Sequence, residues 1–114
     1  MSNEFRLDSE LKESCCVIGI HGYLNNLGGA KLVEEFDVYH KKGTKNYIFD
    51  MADCKVVNSM GISFIIEIIE KLNESNGKLV FVNLDPTIEK TLTIMGIFQY
   101  SEKAENVESG LKLF

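Results

Sequence analysis

Tyr47-Ile48-Phe49-Asp50, a connecting stretch to Val57, then Asn58-Ser59-Met60-Gly61-Ile62-Ser63-Phe64-Ile65-Ile66-Glu67-Ile68-Ile69-Glu70-Lys71-Leu72 read as strand, loop and helix. The first run is short and β-prone, as a buried strand is. In the second, Ile62, Ile65, Ile66, Ile69 and Leu72 recur at helical spacing, which predicts a helix over Ser59–Asn73 with one broad apolar face. Asn76-Gly77 closes that helix, and Leu79-Val80-Phe81-Val82 follows as another buried strand. Strand, helix, strand with short connections implies two parallel strands joined by a right-handed crossover.

The pattern repeats outward from this unit. On the N-terminal side, Glu4–Leu11 alternates loosely, Lys12-Glu13-Ser14 makes a polar turn, and Cys15–Ile20 is an apolar run; together they predict an antiparallel hairpin. Gly22–Gly29 reads as a Gly- and Asn-rich loop, and Ala30–Lys41 as a helix with Leu32, Val33, Phe36 and Tyr39 on one face and Gly43 as its stop. On the C-terminal side, Asp85-Pro86 opens a helix with Ile88, Leu92 and Met95 on one face. Gly96 ends it, Ile97-Phe98 reads as a last short strand, and Val107–Leu113 as a terminal helix. The expected class is α/β: one domain over 1–114, a four- to five-stranded, mostly parallel sheet with an antiparallel N-terminal edge hairpin, and about four helices.

Composition narrows the function. The 114 residues carry 12 Lys+Arg against 17 Asp+Glu, a net charge of −5, which disfavours direct nucleic-acid binding as a main role. No apolar run approaches the roughly 20 residues of a membrane span, and Met1-Ser2-Asn3-Glu4 has no secretory-signal character. Cys15, Cys16 and Cys54 form no CxxC pair, so a metal site is not expected, and they read as small apolar side chains in a reducing compartment. Enzyme motifs are missing too. Leu27-Gly28-Gly29-Ala30 fits no phosphate-loop spacing and reads as a flexible loop, there is no GxSxG, and no paired acid and base stand out. Neither an enzyme nor a cofactor is therefore expected.

Chemistry concentrates at the start of the second helix. Asn58 or Ser59 stands where an N-cap belongs, and the amides that follow favour an anionic group. A phosphate on Ser59 would carry roughly −1.5 to −2 charge and would be stabilised there, so it would alter docking without melting the fold. Met60, Phe64 and Ile68 make a separate i, i+4, i+8 stripe, which must pack on a neighbouring helix or meet a partner.

Five segments in order carry a resemblance. They are the hairpin ending in Gly22-Tyr23-Leu24-Asn25, the strand Tyr47–Asp50, Val57-Asn58-Ser59-Met60-Gly61-Ile62, Gly77–Asn83, and Leu92-Thr93-Ile94-Met95-Gly96-Ile97-Phe98. Over nearly its whole length the chain resembles the STAS domain, and most of all the free-standing bacterial anti-sigma factor antagonists. The resemblance implies a cytoplasmic partner-switching regulator of transcription, a monomer or weak homodimer. Such a domain binds an anti-sigma factor that is also a serine kinase, is released when phosphorylated, and is restored by a metal-dependent serine phosphatase. Ser59 matches the phosphorylated serine, Gly61 the motif glycine and Met60 the variable position between them. Taken with the apolar stripe of the second helix, this gives an expected partner surface of Asn25, Asn58, Ser59, Met60, Gly61, Phe64 and Ile68. Asn58 and Asn25 stand where the family usually has Asp. The competing reading is a STAS scaffold that forms constitutive assemblies and has lost the switch.

Overall fold

The computed structural model describes residues 4–114. Strands β1 (Arg6–Lys12) and β2 (Cys15–Leu24) pair antiparallel. Glu13 and Ser14 join them, both at positive φ (51° and 73°), as a twist-matched two-residue hairpin turn requires. Helix α1 (Asn26–His40), β3 (Asn46–Val57), α2 (Ser59–Glu74), β4 (Lys78–Val82), α3 (Pro86–Ile94), β5 (Glu102–Ala104) and α4 (Val107–Leu111) follow.

The sheet order is β1-β2-β3-β4-β5, and β2 through β5 are mutually parallel. Parallel strands laid side by side in chain order by right-handed crossovers place every connecting helix on one face. The main core lies there: Ile18, Ile20, Phe49 and Phe81 from the strands meet Leu32, Phe36, Ile65 and Leu92 from the helices. Alternate strand residues Cys15, Val17, Ile48, Val80 and Val82 point to the other face, where α4 covers them with Val107 and Leu111. α1 and α2 are also tied by Lys71, whose ammonium lies 3.0 Å from the Asp37 carboxylate.

The expected mixed sheet, edge hairpin and four helices are present, but three boundaries differ. β2 runs on to Leu24 and α1 begins at Asn26, so Gly28 and Gly29 are buried helix residues and not a flexible loop. β3 continues through Val57 where a loop was expected after Asp50, because the segment keeps pairing with β2 across two register shifts. Ile97–Gln99 is a 3₁₀ turn, entered from Gly96 at φ 78°, and the last strand is Glu102–Ala104. The reading of the chain start concerns Met1, Ser2 and Asn3, which lie outside the described residues. Among the described residues no helix is long and apolar enough to cross a membrane.

All three cysteines are buried. Burial pushes the Cys15 thiol up to about 11 and is the main cause of Cys16 rising to about 12; it also raises Cys54. The native protein is therefore expected to resist a thiol-specific reagent at mildly alkaline pH and to label all three cysteines once unfolded, as read by intact mass. Rapid labelling of the folded chain would contradict this packing.

Candidate functional site

Two helix starts meet at the ends of β2 and β3. Leu24 and Val57 are register partners, so the chain leaves both strands at the same level. Asn25 caps α1, its side-chain oxygen accepting from the Gly28 amide at 3.0 Å. Asn58 caps α2 in the same way, accepting from the Gly61 amide at 2.9 Å. The Asn58 amide donates to the Leu24 carbonyl at 3.1 Å and locks the second helix start onto the end of β2. Neither helix has an acidic side chain in its first turn, and both caps are neutral. The third helix differs, with Asp85 as its cap and Glu89 in its first turn. The partial positive charge of the first two helix starts is thus left without a local acidic counterpart.

Gly61 explains how closely these parts approach. A Cβ there would overlap the Leu24 carbonyl oxygen and lie 2.9 Å from its carbon, so only glycine lets α2 begin against β2. Gly29 has the same role one layer out. A Cβ there would meet Cγ of Phe64 at 2.8 Å, so the missing side chain lets Phe64 pack directly on α1.

Ser59 is the first residue of α2 and is exposed. Its hydroxyl makes no hydrogen bond among the described residues. Ser63, one turn on, donates its hydroxyl to the Met60 carbonyl at 2.6 Å. Of the two serines, Ser59 is the one whose oxygen is uncommitted and accessible to a transferring enzyme.

The Met60, Phe64 and Ile68 stripe divides by depth. Met60 is 50% exposed, Phe64 is half-buried against Gly29, and Ile68 is fully buried in the main core. This corrects the expectation that Ile68 lines a partner surface, because the main core takes up the lower end of the stripe, and Gly61, buried against the Leu24 carbonyl, does not line one either. Sequence reasoning missed Tyr23, Leu27 and Val56, exposed apolar residues on the segments flanking the two helix starts. Tyr23 and Leu27 fell within the supposed loop, which hid their place on a strand and a helix. Val56 was hidden likewise, in a segment now seen to be the end of β3. Among the described residues no group of three His, Cys, Asp or Glu is placed to hold a metal ion.

Comparisons with known proteins agree with this architecture. The family model described as the STAS domain matches residues 6–110. BtrV of Bordetella bronchiseptica, a protein named for anti-sigma factor antagonism, is 21% identical over 95 residues, covering 83% of this chain and 82% of that protein. Among solved structures, an anti-sigma factor antagonist from Mycobacterium paratuberculosis superposes with a TM-score of 0.86 at 13% identity, covering 99% of this chain and 96% of that one. The phosphorylated form of SpoIIAA, described as a Bacillus cell fate determinant, superposes with a TM-score of 0.74 at 17% identity, covering 97% of this chain and 100% of that one.

Proposed function

This chain belongs to the STAS domain family, and on that premise we propose that it is an anti-sigma factor antagonist whose binding is switched off by phosphorylation of Ser59. The partner is an anti-sigma factor with serine-kinase activity, and a serine phosphatase reverses the modification. The protein itself acts by binding and not by catalysis, in the cytoplasm. The observation that carries this reading is the exposed, unbonded Ser59 hydroxyl at a helix start with neutral caps, next to the exposed side chain of Met60. Asn25, Asn58, Met60 and the outer edge of Phe64 complete the docking surface, with Leu27 at its border, while Gly61 sets the position of the helix start from beneath. Similarity to a relative named for this activity, and to SpoIIAA solved in a phosphorylated form, supports the reading.

Chemically, the unphosphorylated surface presents apolar side chains and free amides that a partner covers. A dianion on Ser59 places charge at the edge of that contact, where covering it carries a desolvation cost. Incubation with the cognate kinase and ATP is expected to add one phosphate by intact mass, and none to Ser59→Ala. Phosphate gained by Ser59→Ala would overturn the assignment. An unmodified wild-type mass with a competent kinase would favour the second reading, a non-switching scaffold. The observation behind that second reading is the pair of neutral residues, Asn25 and Asn58, at the two helix starts.

A further inference from the structure

Away from the helix starts, on the sheet face opposite α1 and α2, the His21 ring lies between two carboxylates. Its Nδ1 is 2.7 Å from an Asp53 oxygen, and its Nε2 is 2.7 Å from an Asp8 oxygen. The three residues belong to β2, β3 and β1, so one imidazole spans three strands. Gly19 makes room for it: the ring's Nε2 would be 3.3 Å from a Cβ at that position. The β2–β3 register shifts on both sides of His21, between Gly19 and His21 and between His21 and Tyr23. Side-chain bonds thus supplement the backbone ladder at the place where its pairing is irregular.

A neutral imidazole has one N–H and can donate to one of these carboxylates; donation to both requires the doubly protonated ring. We propose that His21 is a proton-gated staple that holds the edge strand β1 and the irregular end of β3 onto β2, and that it loosens when the ring gives up a proton. The charged and titratable groups around it are Asp8 and Arg6 on β1, Asp53 and Lys55 on β3, Glu4 at the rim of the same hollow, and the neutral phenol of Tyr23 on β2. Asp8 suits this role. Slight desolvation raises its carboxyl, but His21 and Arg6 together hold it below the ordinary 3.8, so it stays ionised while the ring is charged. The two ring nitrogens point opposite ways, so the three side chains do not converge on a single ion.

The sign follows from the donor count. Both ties are present when the ring carries both protons and faces two ionised carboxylates. One tie is lost as pH rises and a ring nitrogen turns its lone pair toward a carboxylate. The part that loosens, Ala52–Val56, leads directly to Asn58 and Ser59, although the staple itself does not depend on Ser59 being modified.

Nitrogen-15 NMR of the histidine rings is expected to show both His21 nitrogens protonated at about pH 6. Amide exchange in Ala52–Val56, corrected for its intrinsic pH dependence, is expected to speed up about two- to fivefold between about pH 6 and pH 8, in keeping with one exposed charged tie. His21→Gln keeps a polar side chain that does not titrate, and should remove that pH dependence; Asp53→Asn should weaken it. A single neutral tautomer at about pH 6, or unchanged pH dependence in His21→Gln, would overturn the proposal.

Discussion

Gly61→Ala is expected to lower stability by about 2–3 kcal/mol, or roughly 10 °C in melting temperature, even though alanine is the better helix former by about 1 kcal/mol. The added methyl overlaps backbone, not a movable side-chain tip. The Leu24 carbonyl cannot turn aside freely, because it accepts the Asn58 amide at 3.1 Å. α2 must back away, which strains that bond and opens the packing of Ile62 and Ile65 beneath it. Ser63→Ala, two residues on and exposed, is the control and should shift stability by no more than about 0.5 kcal/mol. Paired thermal melts check this. A Gly61→Ala protein melting within about 2 °C of the wild type would mean that α2 does not begin against β2 as described.

The sequence reveals the fold better than the site, because close approach leaves no one-dimensional signal. The isoleucine spacing of α2 and the apolar runs Cys15–Ile20, Tyr47–Phe49 and Leu79–Val82 are periodic signals, and periodicity survives in one dimension. Gly28-Gly29 and Gly61 are different. A glycine that permits close approach looks the same in sequence as one that loosens a loop, and the distinguishing neighbour is remote: Phe64 for Gly29, Leu24 for Gly61. The same blindness produced the misplaced boundary at Asp50. Ala52–Val57 has no clean alternation because its pairing with β2 is irregular, so a strand with register shifts imitates a loop. His21 shows a further limit. In sequence it has no carboxylate at a recognisable spacing, yet Asp8 and Asp53, 13 and 32 residues away, reach it across neighbouring strands.

The start of α2 was legible because an N-cap is a local device. Asn58 and Gly61 are three residues apart, as a side chain bonding the third amide requires. What stayed hidden was which of the apolar residues nearby are exposed. Burial depends on which face α1 covers, and α1 reaches α2 through Gly29. The depth of Phe64 therefore follows from a glycine thirty-five positions earlier, beyond any periodicity within α2 itself.

Stoichiometric phosphorylation of Ser59 is expected to leave the melting temperature unchanged or slightly raised while weakening partner binding by about 100-fold, or roughly 2.7 kcal/mol. The two effects separate because they arise on opposite sides of the same oxygen. Toward the protein, the dianion faces the free amides of a helix start with neutral caps and no acid in the first turn, an interaction of about 0.3–2 kcal/mol that salt screens. Toward the partner, it stands beside the exposed side chain of Met60, where a dry contact must strip its hydration. Asn58→Asp separates the contributions further. Asparagine and aspartate cap equally well, so the unmodified protein should keep its stability, whereas a carboxylate next to the phosphate should cancel the stabilising half of the effect. Thermal melts at low and high salt, with calorimetric titration of the partner kinase, would measure both sides. A phosphorylated protein that melts many degrees lower would show that the modification acts by unfolding α2. Unchanged affinity would remove Ser59 from the interface.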